Sequence, residues 1–272
     1  MYCILRFRHR PARAPAVKTK MIWHDTRIYS SFICITLIMS SIAINLQAVR
    51  QQIVQAAHQA DRSFTEILLL AVSKNFDAKA VLKAVNAGQT SFGENYVQEA
   101  IDKMAALQLL SPGLELDWHF IGPIQSNKTR LIAQHFSWVH SVDRLKVAER
   151  LSAQRPPGLP PLNICLQINI SEQLTKSGTH ITETAKLAQQ VKSLPNLRLR
   201  GLMTIPEPAE TLDRQRSSYR PIRLLQEQLN QQGFDLDTLS MGMSADLEAA
   251  ILEGSTIVRV GTAIFGKRNY AQ

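Results

Sequence analysis

The feature that most constrains the fold is an alternation of eight short apolar runs with amphipathic helical patterns between residues 67 and 266. Such an alternation is typical of β–α–β units and predicts a parallel sheet. Eight units in this length favour a closed (β/α)8 TIM barrel, although a doubly wound open sheet would give a similar pattern. The predicted strands are residues 67–74, 90–95, 117–122, 138–143, 163–170, 197–205, 238–242 and 256–266.

Helical patterns lie between most of these strands, and several end on glycine, as helix C-termini often do. A further helix precedes the first strand, because apolar residues recur at helical spacing from Ile42 to Ala57 and Ser40 or Ser41 can cap its first turn. We therefore predict an α/β fold, a (β/α)8 TIM barrel with an extra N-terminal helix. The other predicted helices include residues 77–88, 96–110, 143–154, 182–194, 222–233 and 245–254.

The positive charge of the chain is concentrated at its N-terminus. The formal net charge is +9. Residues 1–38 contain seven lysines and arginines against one acid, Asp25, so this segment alone carries +6 and residues 39–272 carry +3. A body that is only mildly basic does not indicate a nucleic-acid partner.

Residues 1–38 also differ from the rest in pattern, being first basic and proline-containing and then nearly free of charge. The uncharged stretch from residue 28 to 46 could serve as a membrane anchor or export signal, and an organellar targeting peptide is a further alternative. However, the stretch is rich in serine, and its second half already belongs to the first helix. We expect residues 1–38 to be an extension outside the native domain, which then comprises residues 39–272 and begins at Met39.

The cysteines bear on the compartment. Cys3, Cys34 and Cys165 are odd in number and have no metal-ligand spacing, so the sequence predicts neither a disulfide framework nor a metal site. This usage fits a reducing compartment, and we expect the protein to be cytoplasmic. Cys165 lies within an apolar run and is expected to be a small core residue.

Polar residues gather where predicted strands end, which is the face on which (β/α)8 barrels build their active sites. Lys74 ends the first strand; a solvated lysine at a strand end is the ordinary alternative. Ser244 follows the seventh strand within "MGMSAD", and Gly261 and Thr262 lie on the eighth run. Backbone N–H groups and hydroxyls at these positions would suit a phosphate, although Ser244 could simply cap the next helix.

A lysine facing a phosphate site suggests a ligand with both an aldehyde and a phosphate. A partly desolvated lysine has a lowered pKa, and its neutral amine can then form a Schiff base with a carbonyl. Pyridoxal 5'-phosphate (PLP) carries both groups. Arg259 lies two residues before Gly261 on the same strand face and is placed to reach the pyridine nitrogen. Because a guanidinium only donates, that nitrogen would stay unprotonated, which weakens the ring as an electron sink.

Several segments resemble the pyridoxal phosphate homeostasis protein family, whose members are relatives of the N-terminal barrel of alanine racemase. The segments are "AVSK", "FGENYVQEA", "WHFIGPIQSNK", "LRLRGLMTI", "LSMGMSADLEAAI" and "STIVRVGTAIFG", and the resemblance spans residues 39–268. It implies a (β/α)8 barrel that holds PLP as an aldimine on Lys74. By the same resemblance Ser244, Gly261 and Thr262 bind the phosphate, Arg259 faces the pyridine, and the pocket is lined by Asn95, His119 and Met203.

The sequence departs from the family pattern after Lys74, where "NFDA" replaces the usual threonine and nearby proline. The family's serine, lysine and glycine pattern is kept as Lys176, Ser177 and Gly178. The extension 1–38 has no counterpart in the family. These differences change the rim of the predicted pocket and leave the lysine in place.

The residues favour a protein that holds and releases PLP without strong catalysis, and the resemblance implies a role in intracellular PLP homeostasis. Racemisation needs a second acid–base group and shielding from water, whereas the chain ends soon after the last predicted strand, and its candidates Tyr96 and Tyr270 open a helix and lie in the tail. The alternatives are a PLP-dependent amino-acid racemase, an aldolase-like barrel that uses Lys74 without PLP, and a membrane-anchored partner protein. The expected partners are PLP and PLP-dependent apoenzymes, with no nucleic acid and no membrane, and the expected state is a monomer or weak dimer.

Overall fold

The computed structural model describes residues 40–170 and 177–266. The first helix, α1 (Ser41–Gln59), begins where the sequence predicts, with Ser40 as its N-cap. The Ser40 hydroxyl accepts a hydrogen bond from the Ala43 amide at 3.3 Å. Ile42, Leu46 and other apolar residues of one helix face are buried against the rest of the fold, as their helical spacing predicts. Residues 1–38 and Met39 lie outside the described residues, so the predicted extension and the predicted start at Met39 stay predictions.

Eight parallel strands close into a barrel, so the open-sheet alternative is wrong. Neighbouring strands pair in chain order, β1 pairs with both β2 and the last strand, and the fourth strand pairs with the fifth. One additional strand of two residues, Thr179–His180, pairs with the end of the fifth strand and is absent from the predicted strands. The strands are β1 (Leu68–Val72), β2 (Ser91–Glu94), β3 (Asp117–Phe120), β4 (Trp138–Val142), β5 (Leu162–Asn169), β6 (Thr179–His180), β7 (Leu197–Met203), β8 (Thr238–Ser240) and β9 (Ile257–Val260).

Helices follow the strands and surround the barrel, and none in the described part of the chain is both long and apolar enough to cross a membrane. The helix after β7 begins at Leu212, ten residues before the predicted start at residue 222. Proline commonly occurs at the first position of a helix, but Pro221 lies inside this one. The helices after α1 are α2 (Ala78–Asn86), α3 (Val97–Leu110), α4 (Thr129–His135), α5 (Leu145–Gln154), α6 (Ile181–Lys192), α7 (Leu212–Gln231), α8 (Leu247–Leu252) and α9 (Thr262–Phe265).

The last predicted strand, 256–266, is wrong in its second half. Strand β9 ends at Val260, and the chain turns at Gly261 into the short helix α9. Tertiary contacts hold this turn in place, since the Phe265 ring stacks on Phe76 with ring centroids 5.0 Å apart and the Asn45 side chain donates to the Ile264 carbonyl at 2.9 Å. The apolar "AIF" therefore packs as one helical turn against its neighbours.

The interior of the barrel is unusually polar. Branched apolar residues normally fill the layers inside such a barrel, but here His140 of β4 contacts Ser240 of β8, two strands that are not neighbours in the sheet. A side-chain contact between them can only cross the interior.

Cys165 is fully buried, as expected for a core residue, and burial raises the pKa of its thiol to about 12.

Candidate cofactor site

A cavity of about 320 Å³ opens at the carboxyl ends of the strands. This is the face of the barrel on which parallel strands place their following loops, and on which sites are expected. Six of the eight predicted site residues line this cavity. They lie on or directly after the strands β1, β2, β8 and β9. They are Lys74, Asn95, Ser244, Arg259, Gly261 and Thr262.

His119 and Met203 do not belong to the lining. Both are fully buried, and the residues two positions later on each strand run, Ile121 and Ile205, line the cavity instead. Because side chains on a strand alternate between faces, His119 and Met203 share a face with these lining residues but lie one layer deeper in the barrel. The cofactor-binding roles assigned to all eight residues stay predictions.

The backbone on both sides of Lys74 is held by polar contacts. The Ser73 hydroxyl donates to Glu94 Oε1 at 2.6 Å, and the Ser73 carbonyl accepts from Lys103 Nζ at 2.8 Å. On the other side, the Asn75 amide donates to Glu99 Oε1 at 2.6 Å. Asn75 has a φ of 64°, in the left-handed region that asparagine tolerates better than most residues. These contacts fix where the Lys74 side chain begins.

Lys103 links the two carboxylates of this cluster. Its Nζ lies 2.5 Å from Glu94 Oε1 and 3.0 Å from Glu99 Oε1, and the residue is only 4% exposed. Glu94 is fully buried, and its Oε2 has no hydrogen-bond partner within the described ranges. Burial therefore raises the pKa of Glu94 despite the opposing charge of Lys103. Lys103 was missed from the sequence because it looks like an ordinary helix lysine.

The loop between β8 and α8 forms another wall of the cavity. The Met243 amide donates to Asp246 Oδ1 at 2.6 Å, and the Tyr219 hydroxyl donates to Asp246 Oδ2 at 2.8 Å. Burial, and then the neighbouring Asp246 carboxylate, raise the pKa of Tyr219. The N-cap position of α8 is Asp246, so Ser244 lines the cavity and is not the helix cap.

Two glycines lie where the backbone passes close to neighbouring parts of the fold. Gly242 has a φ of 94°, and a Cβ there would lie 2.6 Å from the Cβ of Ala250. A Cβ on Gly261 would lie 3.2 Å from the Val72 carbonyl oxygen, so the chain passes close to β1 at this point. Gly261 lines the cavity together with Ser244 and Thr262, and Gly242 directly precedes the lining residues Met243 and Ser244.

Arg259 is 4% exposed, yet it reaches the cavity wall. Its Nη1 donates to the Ser240 hydroxyl at 2.7 Å and to the Ser240 carbonyl, and its Nη2 donates to the Thr204 carbonyl at 2.9 Å. Burial lowers the pKa of Arg259 below its usual value. An arginine remains charged in proteins, so the guanidinium can meet only an acceptor on a ligand.

Asn95 offers the complementary group. Its Oδ1 is buried, has no hydrogen-bond partner in the part of the chain that the structure describes, and belongs to a residue that lines the cavity. Buried polar atoms are nearly always hydrogen-bonded in folded proteins. An unpaired acceptor at a cavity wall therefore indicates a ligand that can donate a hydrogen bond there.

The other residues singled out in the sequence do not line the cavity or lie outside the described residues. Tyr96 is 55% exposed, occupies the N-cap position of α3 and does not line the cavity. Lys176 and Tyr270 lie outside the described residues. Gly178 has a φ of 127°, and its neighbour Ser177 accepts a hydrogen bond at its carbonyl from Gln167 at 3.1 Å.

The family comparison covers most of the chain. Residues 44–269 match the family described as alanine racemase, N-terminal domain. The pyridoxal phosphate homeostasis protein of Pseudomonas aeruginosa is 57% identical over 232 residues, which cover 85% of this chain and 98% of that protein. The protein of the same name from Escherichia coli K12 is 53% identical over 235 residues, or 86% of this chain and 100% of the relative.

Solved structures give the same result. PipY of Synechococcus elongatus PCC7942, determined with PLP bound, is 37% identical with a TM-score of 0.73, and the match covers 83% of this chain and 100% of PipY. Alanine racemase of Corynebacterium glutamicum is 19% identical with a TM-score of 0.57, covering 86% of this chain and 62% of the racemase, and shares the fold alone. The chain therefore belongs to the pyridoxal phosphate homeostasis protein family and carries the alanine racemase N-terminal domain.

Proposed function

We propose that this protein binds pyridoxal 5'-phosphate at the cavity above the barrel and acts in PLP homeostasis, holding the cofactor on Lys74 without strong catalysis. The observation that carries the proposal is that one cavity brings together a lysine, a buried arginine and a hydroxyl- and glycine-containing wall. These groups come from opposite ends of the domain sequence, and the closure of the barrel between β1 and β9 makes them neighbours.

The residues present fit the groups of PLP. A primary amine at Lys74 matches the aldehyde, and the N–H groups and hydroxyls near Ser244, Gly261 and Thr262 match a phosphate. The unpaired Asn95 Oδ1 matches a hydroxyl donor on the ring. When bound, PLP supplies an aldehyde that condenses with a primary amine and a ring that can accept electron density.

The wall around Arg259 favours holding over catalysis. The three bonds to Ser240 and Thr204 keep the guanidinium fixed and charged, so a ring nitrogen beside it would be held as an acceptor. An unprotonated pyridine is a weak electron sink. Among the described residues that line the cavity, Lys74 is the only one whose side chain carries an amine, carboxyl, imidazole or phenol group. A racemase needs a second such group.

The direct test is to trap the bound cofactor with borohydride and to map the labelled peptide by mass spectrometry. We expect one label per chain on Lys74, loss of the label in Lys74→Ala, and full labelling in the control Lys79→Ala, since Lys79 is exposed on α2. Trapping at equal occupancy in Lys74→Ala would show that the lysine is wrongly assigned. A wild-type protein that takes up no PLP would refute the proposed function itself.

A second measurement separates a carrier from a racemase. We expect PLP-loaded protein to convert amino-acid enantiomers far more slowly than the roughly 10 per second typical of enzymes. Turnover at that rate would favour the racemase alternative.

We further propose that the protein is cytoplasmic, is a monomer or weak dimer, and passes PLP to PLP-dependent apoenzymes. Activation of a purified apoenzyme by loaded protein, compared with an equal amount of free PLP, tests the transfer.

A further inference from the structure

A line of hydrogen bonds crosses the barrel interior from its far mouth to the cofactor cavity. Asp117 Oδ2 lies 2.8 Å from His119 Nε2, and His119 Nδ1 lies 2.9 Å from His140 Nε2. His140 Nδ1 lies 2.7 Å from the Ser240 hydroxyl, which is 2.7 Å from Nη1 of Arg259. The residues come from β3, β4, β8 and β9, so four strands contribute to one connected line.

The two ends of this line lie in different surroundings. Asp117 begins β3, at the amino ends of the strands, and its side chain is 38% exposed. His119, His140 and Ser240 are fully buried, and Arg259 lines the cavity at the other end. The line thus connects a carboxylate at the solvent-exposed mouth with a guanidinium at the cofactor site.

The groups at the two ends are compatible with one direction of the hydrogen bonds along the line. An ionised carboxylate only accepts, so His119 carries a proton on Nε2, and in the neutral ring its Nδ1 is then an acceptor. His140 must then donate from Nε2 and accept on Nδ1, where the Ser240 hydroxyl donates. At the other end the guanidinium only donates, and the same Ser240 oxygen accepts from it. Every group is satisfied with both imidazoles neutral.

The charges near the line support this arrangement. Burial holds the pKa of His140 well below its ordinary value, and the charge of the neighbouring Arg259 lowers it further, so this ring is neutral. The opposite direction, with His140 donating from Nδ1, would leave the Ser240 hydroxyl proton with no acceptor in the line. The Trp138 ring stacks on His119 with centroids 5.3 Å apart and planes 4° apart, which fixes the orientation of that imidazole.

We propose that Asp117, His119, His140 and Ser240 are positioning residues that hold the Arg259 guanidinium at the cavity through a directed line of hydrogen bonds. The consequence for the cofactor rests on the proposed function, whereas the arrangement itself belongs to the protein without ligand. The line also explains why His119 is buried beneath the site: it acts on the cavity through His140, Ser240 and Arg259.

The first test needs no cofactor and no substitution. Nitrogen-15 NMR of the full chain, labelled at histidine, reports which ring nitrogen of each imidazole carries the proton. We expect His119 and His140 to be neutral at pH 7 with the proton on Nε2 in both rings. A proton on Nδ1 of His140, or an imidazolium at either position, would overturn the proposal.

The second test breaks the line at its last link. Ser240→Ala removes the hydroxyl and keeps the backbone carbonyl that Arg259 also contacts. The matched control is Ser152→Ala, which removes another buried hydroxyl, on α5, whose partner is the Pro195 carbonyl. We expect faster rotation of the Arg259 guanidinium by side-chain NMR in Ser240→Ala, and about tenfold weaker PLP binding, with Lys74 still the labelled residue.

The control should keep the rotation rate and bind PLP within about twofold of wild type. Equal guanidinium rotation in wild type and Ser240→Ala would refute a positioning role, whatever the affinity. A wild-type protein with the expected proton positions and a restrained guanidinium, but no affinity for PLP, would instead refute the proposed function and support the hydrogen-bond line.

Discussion

The two cationic residues of the cavity are held by opposite means. The backbone around Lys74 is tied to a cluster of charges, in which Lys103 joins Glu94 and Glu99. Arg259 is bound instead by two backbone carbonyls and one hydroxyl, with neutral groups behind it. One wall of the site therefore depends on buried ions, and the other on hydrogen bonds of fixed direction.

The difference matches the role proposed for each residue. In the proposed function the Lys74 side chain, which is only partly buried, reaches the ligand, and the structure fixes its backbone through Ser73 and Asn75. The proposed role of Arg259 requires a charge held in place, and here the guanidinium itself is fixed. Buried ions resist removal strongly because the remaining partner is left uncompensated, whereas single neutral hydrogen bonds contribute less each.

The largest expected effect follows from removing Lys103. In Lys103→Met, the buried Glu94 loses its cation and the Ser73 carbonyl loses its donor, so we expect the free energy of unfolding to fall by about 3 to 5 kcal/mol. The raised pKa of Glu94 gives the pH dependence. Relative to the unfolded chain, the fold favours the protonated form of Glu94, so the free energy of unfolding decreases as pH rises through the raised pKa. The destabilisation caused by Lys103→Met should therefore increase as pH rises. Urea unfolding measures both.

The control for this variant is Lys83→Met, because Lys83 is exposed on α2 and the same side-chain change should cost no more than about 0.5 kcal/mol there. If Lys103→Met unfolds with nearly the wild-type free energy at neutral pH, the charge cluster does not support the Lys74 wall. The contrast between the two walls would then be wrong.

An intermediate effect is expected at Tyr219, where a neutral hydroxyl meets a charged acceptor. Tyr219→Phe removes the donor to Asp246, the residue that also fixes the Met243 amide of the cavity loop. Hydrogen bonds to charged groups contribute about 1.5 to 3 kcal/mol, so we expect a loss of about 2 kcal/mol in the free energy of unfolding. The matched control is Tyr96→Phe, whose ring is exposed. Equal stability of the two variants would contradict the role of this bond.

The sequence was informative where function depends on the ends of strands. Lys74, Ser244, Gly261 and Thr262 could be placed in one site because alternating β and α patterns predict a barrel, and a barrel brings its strand ends together. Arg259 followed from strand alternation with Gly261. The family resemblance assigned His119 to the pocket lining, and strand alternation could not refine this, since it gives the face of a strand but not the depth at which the cavity ends.

The supporting residues could not be predicted in this way. Lys103 lies in an ordinary amphipathic helix, and its burial results from packing against the loop after β1. His140 and Ser240 are 100 positions apart, and only barrel closure brings them together. The short helix α9 was read as strand because its apolar residues are compatible with either structure, and tertiary contacts decide between them.

The smallest expected effect concerns the exposed end of the hydrogen-bond line. Burial disfavours ionisation of Asp117, but the hydrogen bonds from His119 and Ser137 outweigh it and hold the pKa of Asp117 below its ordinary value of 3.8. A lowered pKa contributes stability above the ordinary value, and that contribution is lost as pH falls through the lowered one.

Because the side chain is 38% exposed, we expect Asp117→Asn to reduce the free energy of unfolding at pH 6 by less than about 1 kcal/mol. The difference from wild type should shrink below pH 3.8. The control Asp235→Asn, at an exposed position, should change the free energy of unfolding at pH 6 by no more than about 0.5 kcal/mol. A constant difference across this range would mean that the neutral wall gains nothing from its terminal charge, and that the bonds between His119, His140 and Ser240 suffice to hold Arg259.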